Sequence, residues 1–206
     1  MSFAQPQIMG VLNITPDSFS DGGEPFQADT VVLDAVRAQA LAMIESGAQV
    51  LDIGGESSRP GAQAVNSTEE QRRVLPVLEA LSDLDVILSV DTYHPETVHA
   101  AIDYGAGMIN DITGGRDPAV VAAVARSNVA YALMHMQGSP QTMQQAPSYK
   151  DVVVEVSAYL RDRFAVCVAA GIEANRRLVD PGFGFGKTLE HNLPLLRELP
   201  SARDED

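Results

Sequence analysis

Several residue types are scarce in this chain of 206 residues, and each shortage excludes some classes of protein. Tryptophan is absent and aromatic residues make up 5%, so a core has to be built mainly from Val, Leu, Ile, Ala and Met. The single cysteine, Cys167, excludes a disulfide within the chain, which favours a reducing cytoplasm. No apolar run approaches the ~20 residues of a membrane span. Residues 1–7 lack the basic and apolar segments of a signal peptide.

Positive charge is also scarce. The chain has 14 Lys and Arg residues against 28 Asp and Glu residues, which gives a formal net charge of −14. This balance disfavours nucleic acid or an anionic membrane as a partner, because both bind basic surfaces. It leaves room for an anionic small molecule, which a few arginines or backbone N–H groups can bind locally. With 45% hydrophobic and 20% charged residues, the composition is that of a globular domain.

Short apolar segments recur along the chain, and each is too short for a helix. Several are rich in β-branched residues, which predicts buried parallel strands. The predicted strands are Ile8 to Leu12, Val50 to Ile53, Val86 to Val90, Met108 to Ile109, Val129 to Leu133 and Leu178 to Val179.

Helical patterns separate these segments. Apolar residues spaced from Val32 to Gly47 predict a helix with Asp29 as N-cap. Ser67 and Glu70 form the pattern of a capping box before a second helix, which Pro76 should kink. Pro95 suits the first position of a third helix. A long helix is predicted from Asp151 to Ala170, stopped by Gly171.

Strands that alternate with helices predict an α/β fold with a parallel sheet. Two architectures compete, an open doubly wound sheet and a (β/α)₈ TIM-type barrel. Polar residues follow almost every strand, which favours the barrel, because its βα loops form one active face. Since such a barrel takes ~250 residues, we expect an incomplete one, with six βα units and the last two missing. It would be a single domain over residues 1–199, followed by a disordered acidic tail over residues 200–206.

Three polar side chains, Asp91, Asn110 and Asp180, lie at the ends of the third, fourth and sixth predicted strands. A carboxylate at the end of a buried strand is costly unless a partner meets it. One such aspartate is usually a cap or a structural hydrogen bond, but three together offer acceptors and an amide to a flat heterocycle that carries N–H groups. Met134 could pack on such a ring, although a methionine on a strand is more often part of the core.

The sequence supports neither a phosphate-binding P-loop nor a zinc site. The segment from Gly182 to Thr188 is similar to a phosphate-binding P-loop, but the required first glycine falls on Pro181. A zinc site lacks support, because the histidines are scattered and the cysteine lies in a helical segment. The histidines are His94, His99, His135 and His191.

Six segments read together resemble dihydropteroate synthase, an enzyme family of folate biosynthesis. They are Met9 to Gly23, Gly54 to Gly61, Val90 to Thr92, Ile109 to Asp111, Leu133 to Gly138 and Asp180 to Lys187, in the family's order. The resemblance implies that 6-hydroxymethyl-7,8-dihydropterin diphosphate and para-aminobenzoate are joined to give dihydropteroate and pyrophosphate. It also implies a Mg²⁺ cofactor, a family that is a target of sulfonamides, and a possible homodimer.

The resemblance also implies roles for individual residues. Catalytic roles fall to Asp21, Arg59 and Asp180, with Asp21 and Arg59 in two loops that close over the site. Asn13 would help bind Mg²⁺ and the diphosphate. Substrate-binding roles fall to Ser58 for the diphosphate, to Asp91, Asn110, Asp180 and Met134 for the pterin, and to Pro60 and Phe185 for para-aminobenzoate.

Cations that the family supplies from its seventh and eighth strands have no counterpart here, and Lys187 belongs to the sixth loop instead. We therefore expect poor turnover from this chain itself. Two alternatives remain open. One is a pterin-binding protein without catalysis, and the other is a folate-dependent methyltransferase with a similar barrel. Such methyltransferases need not have the loops over residues 15–23 and 58–60 that are intact here.

Overall fold

The computed structural model describes residues 6–15, 33–57 and 63–198 of the chain. Within these ranges strands and helices alternate, as the sequence predicts. The strands are β1 (Ile8–Asn13), β2 (Ala48–Gly54), β3 (Ile87–Asp91), β4 (Met108–Asp111), β5 (Ala130–Met134) and β6 (Arg177–Asp180). The α-helices are α1 (Leu33–Glu45), α2 (Ser67–Leu81), α3 (Pro95–Asp103), α4 (Pro118–Ala125), α5 (Val152–Ala169) and α6 (Leu189–Glu198), and a 3₁₀ turn, Ala174–Arg176, precedes β6.

The six strands form one sheet in which the spatial order follows the chain order, β1-β2-β3-β4-β5-β6. Every pair is parallel. A doubly wound sheet reverses its strand order at a switch point, whereas a monotonic order is that of a (β/α) barrel. The described part of the chain therefore contains six consecutive units of a barrel-type α/β fold, which confirms the predicted fold class.

The two faces of the sheet differ in character. Successive residues of a strand point to opposite faces, and one face packs against the helices in the main core. Buried members of this core include Leu12, Leu51, Ile53, Val90, Ile109 and Leu133 from the strands and Val36, Val74, Leu78, Val98 and Val120 from the helices. The opposite, inner face carries the buried pair Asp52 and Ser89 and a small apolar cluster of Met108, Ala130 and Ala132.

The start of α2 differs from the predicted capping box. Asn66 is the N-cap, and its side chain accepts a hydrogen bond from the backbone N–H of Glu69. Glu70 does not reach back to the cap, because it is 1% exposed and its Oε2 accepts from Thr92 Oγ1 at 2.6 Å. Asn is as good a cap as Ser and lies one residue earlier. The helix continues past Pro76.

Other local predictions hold. Pro95 opens α3, and the Asp151 side chain caps α5 by accepting from the N–H groups of Val153 and Val154. Gly171 follows α5 with a φ of 83°, a conformation that favours glycine. Asp29, the predicted cap of α1, lies outside the described residues, as does the predicted acidic tail.

Helices α4 and α6 were implied by the alternation but not located from the sequence. The Asp117-Pro118 pair supplies an N-cap and a first-turn proline for α4, so a signal was present. Pro194 lies inside α6, which obscures its pattern, and Leu195 anchors this helix against Val152 and Val156 of α5. Among the described residues, no helix has both the length and the apolar character needed to cross a membrane.

Candidate active site

A row of paired residues crosses the first four strands at or next to their last residues. Asn13 pairs with Gly54, Gly54 with Asp91, and Asp91 with Asn110, so that the four stand side by side at the carboxyl edge of the sheet. Gly54 contributes no side chain to this row. A Cβ atom at Gly54 would lie 3.7 Å from Asn13 Oδ1 and 3.7 Å from Asp91 Oδ2. The polar groups of Asn13 and Asp91 therefore face each other across the space above Gly54.

A buried carboxylate lies one step below this row. Asp52 is 4% exposed and accepts two hydrogen bonds on separate oxygens. Ser89 Oγ donates to Oδ1 at 2.6 Å, and Asn110 Nδ2 donates to Oδ2 at 2.9 Å. Burial raises the pKa of Asp52, and the charge of Asp180 adds to this, while the bonds from Ser89 and Asn110 oppose it. Asp52 thus connects the middle of β2 to the row above it.

Negative charge is concentrated around Asp91. Burial raises the pKa of this carboxyl well above its usual value, and the charges of Asp52, Glu70, Asp111 and Glu56 raise it further. A ligand that brings N–H donors or positive charge to Asp91 would relieve this repulsion. A small pocket beside Asp91 is lined also by Glu56, Glu70, Tyr93 and Ile112.

An apolar surface borders the polar row. Met134 ends β5 and is 3% exposed. It belongs to a cluster of buried residues with Ile112, Met136 and Met143, against which Tyr93 and Phe185 pack. Met134 pairs with Asp180 across β5 and β6. The end of β5 thus places an apolar, polarisable side chain next to the last of the acidic strand ends.

The loop after β6 is tightly bound to the end of β5. Asp180 Oδ1 accepts from the N–H of Gly182 at 2.7 Å, and Gly182 has a φ of 68°. A Cβ atom at Gly182 would lie 2.1 Å from the carbonyl oxygen of His135, so only glycine fits. The carboxylate of Asp180 is therefore held by the turn that follows it.

Lys187 closes the same loop and was not predicted to take part in the site. It is 3% exposed. Its Nζ donates to the carbonyl oxygens of Gly182 at 2.9 Å, Phe185 at 3.0 Å and His135 at 3.3 Å, and lies 3.0 Å from His135 Nδ1. Burial lowers the pKa of Lys187 to about 8, against the opposing charge of Asp180. Burial and the Lys187 charge lower the pKa of His135 to about 4.

His94, Glu56 and Glu70 form a cluster of side chains of the metal-ligating type, which their spacing in the sequence did not reveal. Ligand-type atoms of His94, Glu56 and Glu70 lie within 4.8 Å of one another. Protein groups already engage them, because His94 Nε2 lies 3.0 Å from the carbonyl oxygen of Val65 and Tyr93 donates to Glu56 at 3.0 Å. Four predicted site residues, Asp21, Ser58, Arg59 and Pro60, lie outside the described residues.

Both the sequence and the fold of this chain match proteins of known family. The family model described as pterin binding enzyme matches residues 9–206. A dihydropteroate synthase of Escherichia coli (strain K12) is 47% identical over 200 residues, which are 97% of this chain and 69% of the E. coli protein. This chain belongs to the dihydropteroate synthase family.

Solved dihydropteroate synthases share its structure. The Yersinia pestis dihydropteroate synthase, in a complex with a sulfonamide drug, superposes with a TM-score of 0.89 at 44% identity, over 99% of this chain and 73% of that one. A Xanthomonas albilineans dihydropteroate synthase with 4-aminobenzoic acid gives a TM-score of 0.85 at 47% identity, over 96% of this chain and 69% of that one. This chain thus spans about 70% of the length of the dihydropteroate synthases it matches.

Proposed function

We propose that the protein acts as a dihydropteroate synthase, joining 6-hydroxymethyl-7,8-dihydropterin diphosphate to para-aminobenzoate. The products would be dihydropteroate and pyrophosphate. The observation that carries the proposal is the placement of Asp91, Asn110 and Asp180 at the same edge of the sheet, on β3, β4 and β6, with the apolar Met134 at the end of the intervening β5. A flat heterocycle with N–H groups along one edge matches this arrangement of acceptors on one side and a methionine on the other.

The pterin would lie with its hydrogen-bonding edge on these three polar side chains. Asp91 is suited to receive N–H groups, because burial and then the surrounding carboxylates raise its pKa and make its bare charge unfavourable. Asp180 is held by the N–H of Gly182, which leaves its second oxygen for the ligand. Met134 would contact the face of the ring, and Phe185, which packs on the same cluster, would border the para-aminobenzoate.

The reaction breaks the bond between the pterin methylene carbon and the diphosphate oxygen. The aniline nitrogen of para-aminobenzoate forms the new bond to that carbon and then loses a proton, so the protein needs no nucleophile of its own. Positive charge that develops on the pterin is favoured by the carboxylates of Asp91 and Asp180. Stabilisation of developing charge by preorganised groups is commonly worth about 3 kcal/mol per group.

Asn13 is suited to help hold Mg²⁺, since its side-chain oxygen lies at the carboxyl edge of the sheet across Gly54 from Asp91. Mg²⁺ in proteins typically takes one or two protein oxygens together with water and substrate phosphates, and the bound ion would neutralise charge on the diphosphate. Ser58, Arg59 and Asp21 would complete the diphosphate side, and Pro60 would border the para-aminobenzoate.

The test is a titration of the protein with 6-hydroxymethyl-7,8-dihydropterin diphosphate and Mg²⁺, followed by para-aminobenzoate and an assay for pyrophosphate. We expect binding, then a slow release of pyrophosphate with formation of dihydropteroate. Asp91→Asn should weaken binding, whereas Asp162→Asn, an exposed aspartate on α5, should not. Binding without pyrophosphate release would support a pterin-binding protein without catalysis. No binding by folded protein would refute the proposal.

A cytoplasmic location and assembly as a homodimer are also part of the proposal. A reducing compartment suits a chain whose single cysteine, Cys167, is fully buried on α5. In the proposed orientation, sulfonamides would compete with para-aminobenzoate beside Phe185. Sedimentation of the purified protein would show whether it forms a dimer.

A further inference from the structure

We propose that Asp52 is a positioning residue that sets which atoms of the Asn110 side chain face the ligand. This inference rests on the proposed function and adds to it a residue beneath the binding row. Asp52 lies on β2 and Asn110 on β4, yet the Asp52 carboxylate reaches past β3 to accept from Asn110 Nδ2 at 2.9 Å. Asp52 itself lies beneath the row, with 4% of its surface exposed.

The chemistry of the two groups explains why this contact selects one orientation. An ionised carboxylate only accepts hydrogen bonds, whereas an amide has a donor end and an acceptor end of nearly equal shape. With Asp52 beneath it, Asn110 must turn its Nδ2 downward. Its Oδ1 and its second N–H then remain for the ligand in one defined order. An amide without such a partner could present either end.

Ser89 makes the arrangement specific. Its Oγ donates to Asp52 Oδ1 at 2.6 Å, so one carboxylate oxygen is engaged and the other is left for Asn110. Ser89 is fully buried, and the register pairs it directly with Asp52 across β2 and β3. The two hydrogen bonds, from Ser89 to Asp52 and from Asn110 to Asp52, therefore fix which end of the Asn110 amide faces the ligand.

The substitution Asp52→Asn tests the inference because it keeps the shape and changes the direction. The donor Ser89 would retain the new amide oxygen, so the new amide NH₂ would face Asn110. Asn110 would then turn its Oδ1 downward and present only donors to the ligand. We expect the dissociation constant of 6-hydroxymethyl-7,8-dihydropterin diphosphate, measured by calorimetry with Mg²⁺, to rise roughly 10- to 100-fold. Ser89→Ala keeps the direction and should cost less, roughly threefold.

A double-mutant cycle distinguishes positioning from a general structural effect. If Asp52 acts through Asn110, then Asp52→Asn should change affinity by less than about twofold in an Asn110→Ala background. The same roughly 10- to 100-fold loss in both backgrounds would overturn the inference. So would normal affinity in a folded Asp52→Asn protein, with folding checked by circular dichroism.

Wild-type protein gives an independent test if Asp52→Asn does not fold. Nitrogen-15 NMR should show, for the Asn110 side chain assigned by comparison with Asn110→Ala, one N–H proton shifted and protected from exchange. Two equally exchanging protons would overturn the inference. Failure of the proposed function looks different, because the wild-type protein would then bind no pterin ligand although the Asn110 proton is protected. In that case the inferred role toward a pterin falls with it.

Discussion

Replacement of Lys187 by methionine should destabilise the protein strongly, although no ligand contact is proposed for this side chain. Three backbone carbonyl oxygens, those of His135, Gly182 and Phe185, surround its ammonium group. Methionine fills a similar volume but donates nothing, so these buried acceptors would lose their partner. The loops after β5 and β6 would then lose the connection that holds them together.

The magnitude follows from two opposing contributions. A hydrogen bond to a charged donor stabilises by about 1.5–3 kcal/mol, and Lys187 makes three to carbonyl oxygens. Burial of the charge works against this. The lowering of the Lys187 pKa from 10.5 to about 8 corresponds to about 3.5 kcal/mol at about 1.4 kcal/mol per pKa unit. The net loss for Lys187→Met is therefore about 1–5.5 kcal/mol. The middle of this range, about 3 kcal/mol, corresponds to about 6–12 °C in Tm.

Urea and thermal unfolding followed by circular dichroism measure this loss. Lys150→Met is the matched control, because the chain has only two lysines and Lys150 is exposed. We expect the control to unfold as the wild type does. If Lys187→Met also stays within about 0.5 kcal/mol of wild type, the contacts of Lys187 do not stabilise the loops and the reasoning is wrong.

The pH dependence of stability in wild type and in Lys187→Met gives a second check. Because the folded pKa of Lys187, about 8, is below the unfolded value, the unfolded chain binds more protons between about pH 8 and pH 10.5. Wild-type protein should therefore gain stability relative to Lys187→Met as pH rises through this window. A constant difference between the two would contradict the lowered pKa.

Three further predictions concern His135, Gly182 and Asp91. The pKa of His135 is lowered to about 4, so the stability that the neutral side chain contributes should be lost as pH falls from about 6.5 toward 4. The free energy of unfolding should therefore fall less between pH 7 and pH 5 in His135→Gln than in wild type. Gly182→Ala should cost more than about 3 kcal/mol, because a Cβ atom meets a carbonyl oxygen in a left-handed turn; unfolding close to that of wild type would contradict the geometry. Asp91→Asn should weaken pterin binding yet raise Tm, since it removes one of several mutually repelling carboxylates; a lowered Tm would argue against that repulsion.

The sequence was sufficient for the order of the elements and for the barrel-type sheet. Short β-branched runs and capped helices are local signals, and the strand order follows once each crossover is right-handed. Cap positions were less secure, as Ser67 and Glu70 show. Two equivalent caps stood next to each other, and only the packed structure shows that Glu70 turns inward to Thr92.

The sequence predicts the site residues at the ends of strands, but it does not predict the residues that lie beneath that row or in the loop beside it. Asp91, Asn110 and Asp180 stand at the carboxyl ends of β3, β4 and β6, where a parallel sheet collects its ligand-facing groups. Asp52 and Lys187 act through contacts between distant parts of the chain. Their partners depend on register and loop closure, which no local pattern in the sequence encodes.

The strictly sequential order of the sheet has a consequence for how the protein acquires its binding ability. Each strand pairs with its neighbours along the chain, so the sheet can be assembled by adding one unit at a time, with few distant contacts required at any step. The ligand-facing residues, by contrast, are spread from Asn13 on β1 to Asp180 on β6. During refolding, far-ultraviolet dichroism should recover before the pterin affinity does, because the affinity depends on the last strand to arrive.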